Sequence, residues 1–98
     1  MSAYVISEVE ILDESLGEKY KALAARSITD YEGKYIVRGA RANVVEGEKT
    51  NRQIVIVEFP TMEQLEKWYA SPEYAEALKI REKALNRKLT FVEGIENN

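Results

Sequence analysis

The stretch from Lys34 to Pro60, KYIVRGARANVVEGEKTNRQIVIVEFP, restricts the possible folds of this chain more than any other. Two runs rich in β-branched residues flank Glu46-Gly47-Glu48-Lys49-Thr50, a polar segment whose glycine suits a hairpin turn of several residues. A turn centred near Glu48 sets Arg38 opposite Glu58, Ala40 opposite Ile56 and Ala42 opposite Ile54. Side chains alternate across a strand with a period of two, so Ile36, Arg38, Ala40, Ile54, Ile56 and Glu58 are expected on one face. Tyr35, Val37, Gly39, Val55, Val57 and Phe59 are expected on the other. Both faces are mainly apolar in the middle, which predicts cover on both sides of the hairpin.

Ahead of this unit, Ala3 to Ile11 alternates Val5, Ser7, Val9 and Ile11 against Tyr4, Ile6, Glu8 and Glu10, the pattern of a strand with one apolar face. Asp13 and Glu14 follow, placed where negative charge favours a helix N-terminus. Leu16, Tyr20, Leu23, Ala24, Ile28 and Tyr31 then recur at spacings of three and four, predicting an amphipathic helix of about four turns. Gly33 is positioned to end it, as a left-handed cap or as a turn residue. After Pro60, Thr61 and Gln64 have the spacing of a capping box. Ser71-Pro72 interrupts the helix that Leu65, Trp68 and Tyr69 begin, because proline lacks an amide hydrogen yet fits a first helical position. Ser71 should therefore cap a second segment carrying Tyr74, Leu78, Arg81 and Leu85 on one line, so that a bent or broken helix results. Lys88 to Glu93 supplies a short last strand, and residues 95–98 a tail.

The order β-α-β-β-α-β predicts an α+β, ferredoxin-like domain, with two helices on one face of a four-stranded antiparallel sheet. The 98 residues make one domain, with an ordered core over about 3–94. The opposite sheet face is left bare, and an apolar face of that size exceeds what a soluble monomer normally exposes. Isologous pairing of two sheets in a homodimer is the simplest remedy.

Composition closes several routes to function. The chain has no histidine and no cysteine, which removes thiol nucleophiles, disulfides, Cys/His zinc sites and imidazole-ligated haem. Net charge is −3, so no basic face recommends nucleic acid, and the cluster around Lys79, Arg87 and Lys88 is most simply matched to a helix C-terminus. The carboxylates lack the spacing of a metal loop, and no apolar run approaches a membrane span. No cofactor, no membrane partner and a cytoplasmic location are the expectations.

Taken together, YIVRGA, VVEG, Arg52 ahead of IVIVEFPTMEQLEKWYASPEYAEALKIR, and a terminal VEG resemble domain of unknown function family 1330. The likeness spans Tyr4 to Gly94, and the string EFP…WYASPEY…R is its most specific part. The resemblance implies a ferredoxin-like fold of the dimeric α/β-barrel type, in which pockets lie between sheet and helices or within the barrel. That group includes cofactor-independent monooxygenases, muconolactone isomerases and stress-responsive proteins, so fold alone does not choose a chemistry.

Two clusters are candidate sites. Arg38 and Glu58 read either as an anion clamp with a proton-transfer carboxylate or as a cross-strand ion pair under a dimer. A neighbouring guanidinium would leave Glu58 a weak base, which favours the structural role. Tyr69, Ser71, Tyr74 and Arg81 read either as pocket-lining groups for a small polar aromatic or carboxylate ligand, or as core, cap and snorkelling residues. No histidine or cysteine is present to activate Ser71. Two functional expectations follow: a protein that binds or transforms a small anionic or phenolic molecule without a cofactor, and a non-catalytic homodimeric stress or assembly module.

Overall fold

A computed structural model describes residues 1–95, and the expected tail at 96–98 lies outside the described residues. Seven elements follow one another: β1 (Ala3–Ile11), α1 (Glu14–Asp30), β2 (Lys34–Arg41), β3 (Gln53–Phe59), α2 (Met62–Tyr69), α3 (Pro72–Ala84) and β4 (Leu85–Glu93). The strands form one antiparallel sheet in the order β2-β3-β1-β4. The fold is ferredoxin-like, with the second helix broken at Ser71-Pro72 as the proline requires.

Each break is locally determined. Asp13 caps α1 by accepting from the Leu16 amide at 2.9 Å, and Thr61 caps α2 by accepting from the Gln64 amide at 3.0 Å. The capping box is only half made, because the Gln64 side chain donates instead to the Tyr31 carbonyl at 3.0 Å. Ser71 caps α3, with Pro72 in its first turn. At the far end of α1, the Glu32 and Gly33 amides reach back to the Thr29 and Ile28 carbonyls at 3.1 and 2.8 Å, the two bonds of a Schellman motif. The left-handed residue is Glu32 (φ 68°), not Gly33. Gly33 is required for space: a Cβ there would lie 2.6 Å from Ile28 and 2.8 Å from the Phe59 ring.

Burial alternates along β1, where Ala3, Val5 and Ser7 face the helices and Tyr4, Ile6 and Glu8 face away. Val57 and Phe59 continue the buried side, and Leu65, Trp68, Tyr74, Ala77 and Ala84 seal it from α2 and α3. Phe59, Trp68 and Tyr74 stack in sequence, with ring centroids 5.3 and 4.2 Å apart. Among the described residues, the other sheet face carries no helix.

The hairpin differs from its expected register. Residues 42–52 form a long connection in place of a compact turn, and Val45 is 86% exposed. Glu58 pairs with Lys34, and Arg38 pairs with Val55. Two irregularities explain the shift, one between Tyr35 and Val37 and one between Arg38 and Ala40. Each inserts an extra residue on β2, and the second places Gly39 at φ +71°, the conformation of a glycine bulge. Successive bulges move Arg38 onto the face shared by Tyr35 and Val55, and its guanidinium lies 4.3 Å from the centre of the Tyr35 ring. The anticipated ion pair is overturned: Arg38 and Glu58 stand on opposite faces of the sheet.

One further boundary moves. The chain passes from α3 to β4 without a loop, Leu85 being both the helix cap and the first strand residue. The last strand therefore begins three residues earlier than Lys88 and includes Arg87.

Candidate functional site

Between α1 and the helix-facing side of the sheet lies a cavity of about 370 Å³, within the size range of small-molecule sites. Its walls are mostly aliphatic, contributed by Val5, Val9, Val55, Val57 and Leu89 from the strands and Ile28 from α1. Ser7, Tyr20, Tyr35, Arg38, Gln53 and Arg87 add the polar groups, with Lys21 beside them.

Arg87 reaches this cavity because β4 alternates Leu85, Arg87, Leu89 and Phe91 toward the helices, with Arg87 opposite Val9. Its Nη1 donates to the Tyr20 hydroxyl at 2.6 Å and its Nη2 to the Tyr74 hydroxyl at 2.9 Å. The two hydroxyl oxygens are themselves 2.5 Å apart. The ion pairs among the described residues are Lys21–Glu18 and Lys79–Glu76, both on helix surfaces. Arg87 thus holds a half-buried charge against hydroxyl oxygens and makes no ion pair among the described residues.

The titration of these groups follows from that placement. Burial works against the Arg87 charge, yet the Tyr20 and Tyr74 oxygens outweigh it, and its pKa is raised. Burial, followed by the neighbouring Tyr20, pushes the Tyr74 hydroxyl far above the phenol range despite the opposing pull of Arg87. Burial likewise raises Tyr35, with Arg38 pulling the other way. All three keep their protons at neutral pH.

Ser7 is the other unusual group. It is 5% exposed, lines the cavity, and its hydroxyl is the buried side-chain polar atom that lacks a hydrogen-bond partner among the described residues. A buried hydroxyl left unsatisfied costs about 1–3 kcal/mol, so its position beside an open volume points to a polar occupant.

The residues singled out from the sequence separate into three places. Arg38 lines the cavity, and Tyr74 stands immediately behind it, touching its wall through Tyr20 and Arg87. Ser71 caps α3, accepting from the Tyr74 amide at 3.1 Å and donating to the Trp68 carbonyl at 2.7 Å. Tyr69 is 39% exposed and packs on Trp68, Tyr74 and Phe91. Arg81 is half-buried on α3 and makes no ion pair among the described residues. Glu58 lies on the helix-free face, where it accepts a hydrogen bond from the Tyr4 hydroxyl at 3.1 Å.

Sequence reasoning missed Ser7, Tyr20, Tyr35, Gln53 and Arg87. A signal for two of them was present. Ser7 interrupts the apolar face Val5-Ser7-Val9, and Arg87 interrupts Leu85-Arg87-Leu89. A polar side chain in the middle of a strand's buried face needs a partner or a ligand. Among the described residues, no group of three Asp, Glu, His or Cys comes together to hold a metal ion.

A family model described as Domain of unknown function (DUF1330) matches residues 2–95. No curated protein matches the chain. Solved structures do. A protein of unknown function from Rhodopseudomonas palustris is 20% identical, with 98% of this chain and 84% of that one covered and a TM-score of 0.70. A dimeric protein of unknown function with a ferredoxin-like fold from Bacteroides fragilis is 17% identical, with 95% and 96% covered and a TM-score of 0.65. A cofactor-independent oxygenase from Streptomyces nogalater is 10% identical, with 98% and 95% covered and a TM-score of 0.61. At such identities these likenesses establish the fold and nothing finer.

Proposed function

This chain belongs to the DUF1330 family, and on that footing we propose that it is a homodimeric protein that binds a small aromatic or phenolic anion in the cavity between α1 and the sheet. The observation that carries the reading is Arg87: a half-buried charge on the wall of an open volume, with no ion pair among the described residues. An anion entering that volume would meet Arg87 and Arg38, with aliphatic walls for a ring and with Tyr35 and Tyr20 at its edges.

Binding is favoured over turnover by the lining itself. Among the described residues no carboxylate lines the cavity, the chain has no histidine, and Tyr35, Tyr74 and Arg87 keep their protons at neutral pH, so these groups offer no general base there. The Streptomyces nogalater oxygenase works without a cofactor, and the proposal here needs none either. Within this reading Arg38 is an anion-facing residue, and Tyr74 positions Arg87 and Tyr20. Ser71 and Tyr69 hold the helix break that places Tyr74. Glu58 and Arg81 belong to other surfaces.

Isothermal titration of the purified protein with benzoate and salicylate tests this. Arg87→Met and Arg38→Ala should each weaken binding by about tenfold or more, as expected for a lost charged hydrogen bond, with Glu58→Gln unchanged. No binding by the wild-type protein, or equal affinity in all variants that remain folded, would favour the non-catalytic stress or assembly module instead.

A further inference from the structure

Hydrogen counting in the Tyr20–Tyr74–Arg87 cluster leads one step further. Each hydroxyl carries one proton and can accept as well as donate, whereas a guanidinium only donates. Arg87 already donates to both oxygens. With the two oxygens 2.5 Å apart, one hydroxyl proton must lie between them. The other hydroxyl proton then has no acceptor inside the cluster.

Burial decides which tyrosine carries it. Tyr74 is 0% exposed and does not line the cavity. If its proton were the spare one, a buried donor would be left unpaired, which native structures avoid. Tyr20 does line the cavity. The satisfied arrangement has Tyr74 donating to Tyr20, Arg87 donating to both, and the Tyr20 O–H turned into the open volume. The same cavity is lined by Ser7, whose buried hydroxyl also lacks a partner among the described residues.

We infer that Tyr20 is the specificity-determining donor of this site: its hydroxyl proton, backed by Tyr74 and Arg87, selects a ligand that presents an unprotonated oxygen, such as the carboxylate of an aromatic acid. This rests on the ligand-binding reading above and assigns the part of the ligand that the cluster reads. A carboxylate accepts from Tyr20 and completes the charge balance of Arg87 in one contact, whereas an amine of the same shape would place a donor against a donor and a cation beside a cation. Tyr74 is a positioning residue here, since its own proton is spent on Tyr20.

Two measurements test this, one of which needs no ligand. In the unliganded protein with selectively ring-labelled tyrosine, the slowly exchanging hydroxyl proton of the cluster should correlate through bonds with the Tyr74 ring carbons. Correlation with the Tyr20 ring would mean that Tyr20 is already committed, and the inference would be wrong. In titrations with benzoate, Tyr20→Phe should weaken binding by about tenfold, while Glu58→Gln, on the helix-free face, stays within about threefold. Benzylamine should bind none of these proteins. Unchanged affinity in Tyr20→Phe overturns the assignment while Arg87→Met still reports on the anion site. If wild-type protein ignores benzoate, the ligand reading fails by itself and the hydroxyl-proton experiment alone decides the geometry.

Discussion

At the scale of single residues, the turn that ends α1 separates two roles that a lone glycine usually combines. Glu32 carries the left-handed backbone (φ 68°) and Gly33 carries the close approach, its absent Cβ leaving room for Ile28 and the Phe59 ring. A non-glycine residue in the left-handed region is strained, and glycine relieves it although it loosens the unfolded chain. Glu32→Gly should therefore stabilise the protein by about 0.5–1 kcal/mol, raising Tm by several degrees for a domain of this length. Gly33→Ala should do the opposite by about 1–3 kcal/mol, because Phe59 is fully buried and cannot yield cheaply. Thermal unfolding of the two variants measures both, and the reverse order would show that conformation rather than space sets the choice at 33. Of the two roles the sequence offers Gly33, left-handed cap or turn residue, the cap falls to Glu32, and a cap glycine and a packing glycine leave the same letter.

At the scale of elements, what was legible follows the strength of the local signal. The amphipathic stripe of α1, the acidic start of that helix at Asp13 and Glu14, the Thr61 cap and the Ser71-Pro72 break are short-range chemistry, and each stands where expected. The register of β2 was not legible, because it depends on bulges that only pairing with β3 reveals, and Gly39 alone does not announce one. Those bulges turn Arg38 toward the cavity, so the site was hidden by the same error that misplaced the hairpin. The α3–β4 junction hid Arg87 similarly, since helical spacing running on to Leu85 masks a strand that starts there. One inter-element tie lends itself to a pH measurement. The Tyr31 hydroxyl at the end of α1 donates to Glu73 in the first turn of α3 at 2.7 Å. That bond, ahead of other causes, lowers the Glu73 pKa and raises that of Tyr31. A lowered carboxylate contributes stability above its ordinary pKa and loses it as pH falls through the folded value. A raised phenol contributes below its ordinary pKa and loses it as pH rises through the folded value. The Tm difference between wild type and Tyr31→Phe should thus be flat between about pH 5 and 9 and shrink on both sides. A difference independent of pH would assign the effect of Tyr31 to packing alone.

At the scale of the whole molecule, the shape itself calls for a partner. The protein measures 40 × 37 × 15 Å, with a radius of gyration of 13.7 Å against about 12.6 Å for a compact chain of this length. The excess is flatness: two layers, with one side of the sheet left uncovered. Ile6 pairs with Ile56, which in turn pairs with Val37, a half-buried aliphatic row, and Val92 (40% exposed) stands on the same face opposite Tyr4. Of the charged residues on the same face, Glu8 stands opposite Lys88, Glu58 stands opposite Lys34 and accepts from the Tyr4 hydroxyl, and Glu10 stands opposite Asn86. A face that is apolar along its middle suits an isologous contact, because a second copy brings the same aliphatic row to meet it. Solution scattering should accordingly report a particle of two chains, with a Tm that rises with protein concentration. Ile56→Glu places a carboxylate in the middle of the row, on the side away from Val57 and the core, so it should separate the copies while leaving the monomer's helical signal intact. Loss of the concentration dependence in that variant would tie the assembly to this face. A wild-type particle of one chain at every concentration, with a Tm that Ile56→Glu leaves unchanged, would mean that the sheet meets water as it stands and that the cavity must bind its ligand within a single protomer.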